Sequence, residues 1–241
     1  SWMDWAPKTD YCALPWTETI RNAGAARLLD RQAIQVKRMM NSLGEQIEQD
    51  IVVGTQGDTV PGTQNKVQSL SALISATPTS GTRQNVSSSA YTWWQSVYDT
   101  CASFATTGLD KLDSTLHSAS SRTGLRGPNL HLTTYANWRL YCKQAEGIHR
   151  VTGDINAVDL GIGMAYYKNR PVIHYSLVPS TYWWMLDMSA MRFYTHMDGN
   201  FTTRHPEAPN NAEIALQSRV RAAIGWGTVE LRHHALLAIA G

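Results

Sequence analysis

Apolar side chains at Leu29, Ala33, Val36, Met40, Leu43 and Ile47 recur at intervals of 4, 3, 4, 3 and 4 residues, the stripe of an amphipathic helix. Arg31, Gln35, Lys37, Arg38, Asn41, Glu45, Glu48 and Gln49 fall mostly off that stripe. The pattern predicts one helix from about Ala26 to Ile51, roughly 35–40 Å long at 1.5 Å per residue. Gly44 costs it about 1 kcal/mol relative to alanine, and Glu45, Glu48 and Asp50 oppose the macrodipole at its C-terminal end. Tertiary packing therefore has to hold the helix, each large side chain on the stripe contributing about 1.5–3 kcal/mol when buried. Too few heptads and no e/g charge code argue against a coiled coil.

Around this rod the chain reads as mixed structure. Residues 1–20, punctuated by Pro7 and Pro15, read as extended structure leading into the helix. Beyond Gly54-Thr-Gln-Gly57-Asp58 and Pro61-Gly62, a short apolar element runs from Val67 to Ile74. A Ser/Thr-rich connector over 75–90 suggests a subdomain boundary. Helices are predicted over Tyr91 to about Thr106, Thr107 to His117 and Tyr135 to Arg150. Strands are predicted at Leu130–Thr134, Pro171–Tyr175 and Tyr182–Leu186. A last pair of elements covers Met191–Thr203 and about Ala215–Ala240. No regular βαβ period appears, so the fold class is α+β.

Composition removes several function classes. Twenty-one basic against nineteen acidic side chains leave a net charge of +2, far from the cationic excess of a dedicated nucleic-acid binder. Cys12, Cys101 and Cys142 are odd in number and widely spaced, which supports neither a zinc site nor a disulfide framework. No run of about 18 apolar residues predicts a membrane span. The opening Ser-Trp-Met-Asp lacks the basic and apolar regions of a signal peptide and an initiator Met. Nine Trp and ten Tyr against three Phe suit partly wet interfaces as well as core packing.

No motif argues for catalysis or a cofactor. The 54–62 turn has no GK[ST] and is not a P-loop. Gly161-Ile-Gly163 lacks the third glycine of a dinucleotide fingerprint. His233 and His234 are adjacent and point in different directions, unlike the paired face of a zinc helix. His196 and His205 flank the turn-forming Asp198-Gly199-Asn200 with no Cys or Glu at ligand spacing. No GxSxG elbow is present. The reading names no catalytic, cofactor-binding or metal residues, and expects no enzyme and no cofactor. The pairs Trp93-Trp94 and Trp183-Trp184 read as core and interface packing.

The order of these pieces resembles the HK97-fold major capsid proteins of tailed bacteriophages. Trp5-Ala-Pro-Lys8-Thr-Asp-Tyr11, Glu18 and Asn22-Ala-Gly24 are similar to the return from that family's E-loop into its spine helix, here Leu28 to Ile51. The Gly54 turn, Leu70–Ile74 and Tyr91-Thr-Trp93-Trp94 resemble its step from P-domain to A-domain. Gly161–Tyr167 with Asn169-Arg-Pro171-Val-Ile173, and Met185-Leu186-Asp187 to His196 with Phe201 beyond, resemble its later strands. The resemblance implies residues 1–18 as a remnant of the E-loop base and a P-domain of 19–90 with 188–230. That P-domain would hold the spine helix at about 26–51 and a long β-hairpin at about 191–205, turning at Gly199 or Asn200. An A-domain of 91–187 with 231–241 would complete the subunit. The family's N-terminal arm and most of its E-loop have no counterpart, which a cleaved precursor or an incomplete chain explains.

By the same resemblance the chain would self-assemble through pentamers and hexamers into an icosahedral shell around double-stranded DNA. Portal and scaffolding or decoration proteins would be its partners, no membrane would be involved, and its place would be the virion, built in the host cytoplasm. An encapsulin-like nanocompartment shares the implied fold. A His-dependent soluble hydrolase is the reading from a different class.

Overall fold

The computed structural model describes residues 6–15, 31–53, 68–121, 127–152, 165–207 and 215–240. Strand β1 (Ala6–Pro15) precedes helix α1 (Arg31–Val53), whose 23 residues span about 34 Å. The expected start of this helix, 26–30, lies outside the described residues. Its buried face is Met39, Leu43 and Ile47, with Val36, Met40 and Ile51 partly covered, while Ala33 is exposed. The stripe thus runs one residue to the side of Met40, at the i, i+4, i+8 spacing that a straight 3.6-residue helix presents. That face lies on Val220, Ala222 and Ile224 of a long strand, β11 (Ala215–Thr228).

β11 organises a four-stranded antiparallel sheet. β1 pairs along its first ten residues, from Pro15 opposite Ala215 to Ala6 opposite Ile224. Strand β9 (Met191–Thr195) pairs with its far end, Met191 opposite Thr228, and strand β10 (Thr202–Glu207) pairs further back, Thr202 opposite Arg221. The strands flanking Asp198-Gly199-Asn200 therefore do not pair with each other. The expected hairpin about 191–205 is replaced by one arm, 191–207, lying against β11; residues 208–214, between this arm and β11, lie outside the described residues. The turn chemistry was real but makes a single 3₁₀ turn, Met197–Gly199, with the His196 ring accepting from the Asp198 amide.

The second sheet is mixed and six-stranded, in the order β4-β12-β8-β5-β7-β6. Its strands are β4 (Val97–Cys101), β5 (Leu130–Thr133), β6 (Ala165–Tyr167), β7 (Arg170–His174), β8 (Tyr182–Leu186) and β12 (Ala235–Ile239). Short helix α2 (Leu70–Leu73) and a small hairpin, β2 (Thr82–Arg83) with β3 (Val86–Ser87), precede it. The helix expected over 91–106 does not form. A 3₁₀ turn at Thr92–Trp94 leads into β4, which runs parallel to β12 with Val97 opposite Ala235. Only from Phe104 does helix α3 (Phe104–Ser121) begin. Val97 and Cys101 are buried while Asp99 and Thr100 face outward or sideways; a strand that completes the sheet overrides weak local helix preference. Helix α4 (Tyr135–Thr152) forms as expected.

Alternation along β8 explains the second Trp pair. Successive strand residues face opposite sides, so Trp183 and Met185 join the core beneath α3 and α4, with Phe104, Leu112 and Leu116. Trp184 and Leu186 join the core on the other face, with Leu70, Leu73, Leu231 and Leu236. Trp183 stacks on Phe104 with ring centroids 5.0 Å apart. The second core also contains Val52 of α1 and Trp226 of β11, and the Trp226 indole donates to the Gln68 carbonyl. It is therefore the seam that joins the two sheets.

Candidate functional site at the junction of the sheets

The chain crosses between the sheets at 187–190, from β8 to β9, and again at 229–234, from β11 to β12. The two crossings lie side by side: the Val229 amide donates to the Ala190 carbonyl at 2.9 Å. Asp187 is the centre of the polar network that ties them. Its Oδ1 accepts from the Ser189 hydroxyl at 2.5 Å and the Ser189 amide at 2.9 Å. Its Oδ2 meets His233 Nδ1 at 2.8 Å, and His233 Nε2 meets Glu230 Oε2 at 2.6 Å. Both nitrogens of the His233 ring thus face carboxylate oxygens. Glu230 also accepts from Arg232 Nε at 2.9 Å.

His234 approaches the same residue from its backbone side. Its Nδ1 accepts from the Asp187 amide at 3.1 Å, which leaves Nε2, 2.8 Å from the Thr228 hydroxyl, as the protonated nitrogen of a neutral ring. Burial pushes His234 down to about 4, against the pull of the Asp187 carboxylate. Burial alone would raise Asp187, but hydrogen bonds from Ser189 and His233 outweigh it and hold the carboxyl below its ordinary value. Glu230 is held low first by Arg232, and burial opposes this less than the bonds favour it.

Serine, aspartate and histidine meet here in an order other than that of a catalytic triad. The carboxylate stands between Ser189 and His233, so no base faces the hydroxyl, whereas a catalytic triad needs the imidazole in the middle. The network ties the two crossings together. Elsewhere, His131 is fully buried on β5, accepts from the Trp183 indole at 3.2 Å, and is pushed down to about 3 by burial and then by Arg170. Among the described residues, no group of three or more His, Cys, Asp or Glu side chains could hold a metal. The side chains of Cys12 and His205 and the Gly161–Gly163 turn lie outside the described residues. Cys101 is buried, its Sγ 3.5 Å from the Thr107 hydroxyl.

Beside the network is an apolar cavity of about 410 Å³. Leu132 and Leu186 of the six-stranded sheet, Ile51 of α1 and Trp226 of β11 line it, together with the exposed Glu48, Arg192, Met188 and Phe193. The Glu48 carboxylate accepts from the Tyr175 hydroxyl and raises that phenol to about 12. A further group of large apolar side chains stands out in solvent: Phe193 and Tyr194 on β9, Met188, Val229, and Met197, which is 90% exposed. Of the first Trp pair, Trp94 is buried and donates to the Arg83 carbonyl, while Trp93 is exposed.

Sequence reasoning set His233 and His234 aside because neighbours diverge. They do diverge, yet both rings reach one residue, one at its carboxylate and one at its amide. No local spacing could reveal this, since Asp187 is 46 residues away from His233.

A long helix laid across an antiparallel sheet built on one 14-residue strand, joined by two adjacent crossings to a helix-covered mixed sheet, is the HK97-like capsid fold. Solved structures similar to it include the capsid of cyanophage A-1(L), with a TM-score of 0.71 at 12% identity over 98% of this chain and 77% of that one. The holo-SrpI encapsulin complex of Synechococcus elongatus PCC 7942 gives 0.61 at 10% identity over 97% and 73%. The capsid of an empty GTA particle gives 0.61 at 12% identity over 98% and 74%. At these identities the likeness is one of fold. No family model matches the sequence, and no curated protein matches it. No helix among the described residues is long and apolar enough to cross a membrane.

Proposed function

We propose that this chain is a shell-building subunit, the major capsid protein of a tailed bacteriophage, which assembles into a closed icosahedral shell around double-stranded DNA. The observation that carries the reading is fold likeness over 97–98% of the chain to proteins described as phage capsid, GTA capsid and encapsulin. In this reading α1 and the four-stranded sheet form the P-domain and the six-stranded sheet with α3 and α4 forms the A-domain, which gathers around fivefold and sixfold centres. The two crossings at Asp187 and His233 then join one domain to the other. The subunit works through contacts rather than catalysis, with copies of itself as first partners and portal, scaffolding or decoration proteins as further ones. Its place is the virion.

The encapsulin reading shares the fold, and the larger TM-score with the cyanophage capsid, 0.71 against 0.61, favours the phage side. The test is sedimentation of purified particles followed by analysis of their contents. Nuclease-protected DNA inside fast-sedimenting particles is the expected result. A protein cargo would turn the reading to the nanocompartment, and a small oligomer with no particles would overturn both.

A further inference from the structure

We propose that Met197 is an assembly knob whose receptor is the apolar cavity beside Asp187 on a neighbouring copy of this chain. The inference rests on the shell-building reading and specifies one contact within it. Met197 sits at the start of the 3₁₀ turn that interrupts the arm 191–207, and among the described residues it is the most exposed of the large apolar side chains. The turn is built rather than loose. The His196 amide donates to the Ala223 carbonyl at 3.0 Å, the Gly199 amide to the His196 carbonyl at 3.0 Å, and the Asp198 amide to the His196 ring at 3.2 Å.

Gly199 approaches β11 so closely that a Cβ there would stand 2.8 Å from the Ala223 methyl. Phe201 closes the turn at φ +47°, a left-handed conformation that is unfavourable for an aromatic residue, with its ring packed on the α1 core. At 90% exposed, the Met197 side chain buries almost nothing within a single copy.

The cavity has the complementary form. Its walls are apolar, its volume of about 410 Å³ admits a methionine side chain, and its lining includes one exposed acid and one exposed base, Glu48 and Arg192. The knob is followed by one acid, Asp198. Docking can set its carboxylate toward Arg192, which favours this partner and this orientation over an uncharged one. The contact is heterologous, a patch on one copy meeting a different patch on the next, and repeated heterologous contacts build rings when they close. A flexible thioether suits a subunit that must occupy slightly different environments.

The experiment uses particles assembled from the complete natural chain. Met197→Asp places a carboxylate in an apolar cavity and lowers the yield of sedimenting particles about tenfold or more, while the melting temperature of the unassembled subunit stays at the parental value. Met197→Leu restores assembly. Met197→Cys combined with Met188→Cys gives covalent multimers on oxidation of the particles, and neither single variant does. Parental yield from Met197→Asp overturns the proposal and leaves the shell reading standing, as does cross-linking of Met197→Cys to a different protein. Absence of particles from the parent chain overturns the shell reading and this contact with it.

Discussion

The Asp187 carboxylate and the His233 ring meet at 2.8 Å across the two crossings that connect the sheets. Both side chains are nearly inaccessible, and His233 has a second carboxylate, Glu230, at its other nitrogen. Removing one member of a buried, hydrogen-bonded pair leaves the other without its partner in a poorly solvated place, at a cost of about 3–5 kcal/mol. Asp187→Ala is expected to lower the unfolding free energy by that order in urea denaturation. A loss below about 1 kcal/mol, the level of a surface pair, would mean that the crossings are held by their backbone bonds alone.

Acid is expected to destabilise the subunit well above the carboxylate range. His131 and His234 are pushed by burial to about 3 and about 4, while in the unfolded chain they titrate near 6.5. Between those values the unfolded chain binds protons that the folded chain does not, so stability falls as pH falls. It is fully present above about 6.5 and declines toward about 4 and 3, each ring accounting for on the order of 3–5 kcal/mol at about 1.4 kcal/mol per pKa unit. Lowered Asp187 and Glu230 act in the same direction further down. His131→Phe is expected to flatten the profile between pH 6.5 and 4 in denaturation measured at several pH values, and an unchanged slope would contradict the assignment.

Gly44 lies in the interior of α1, and nothing comes within 4 Å of a Cβ built there. Gly44→Ala removes the backbone entropy cost without a clash, so stability is expected to rise by up to about 1 kcal/mol. The melting temperature then rises by about 2–4 °C, which calorimetry would register.

Gly199 gives the opposite expectation. A methyl group 2.8 Å from Ala223 Cβ and 3.2 Å from its amide nitrogen must push the turn away from β11. Gly199→Ala is expected to cost about 1–3 kcal/mol, with hydrogen exchange faster at the His196 and Gly199 amides than in the parent.

What the sequence disclosed followed from how local each feature is. The α1 stripe was legible because helical periodicity is written in consecutive residues, and only the choice between Met39 and Met40 needed the sheet beneath it. Leu130–Thr133 and Tyr182–Leu186 were legible as strands, and the Trp183-Trp184 pair as packing, because alternation sends the two indoles into separate cores. Val97–Cys101 was misread as helix because its partner, Ala235–Ile239, lies far along the chain. Asp198-Gly199-Asn200 reads as a chain reversal until β11 is known to pair with both flanking strands. The Asp187 network was out of reach for the same reason: its members come from two crossings that only the finished topology brings together.

The central claim is tested most directly by electron microscopy of particles purified from cells that express the complete natural chain. Closed angular shells, with the subunits clustered at fivefold and sixfold positions, are the predicted result. A uniformly small, monodisperse protein with neither shells nor capsomers would contradict it.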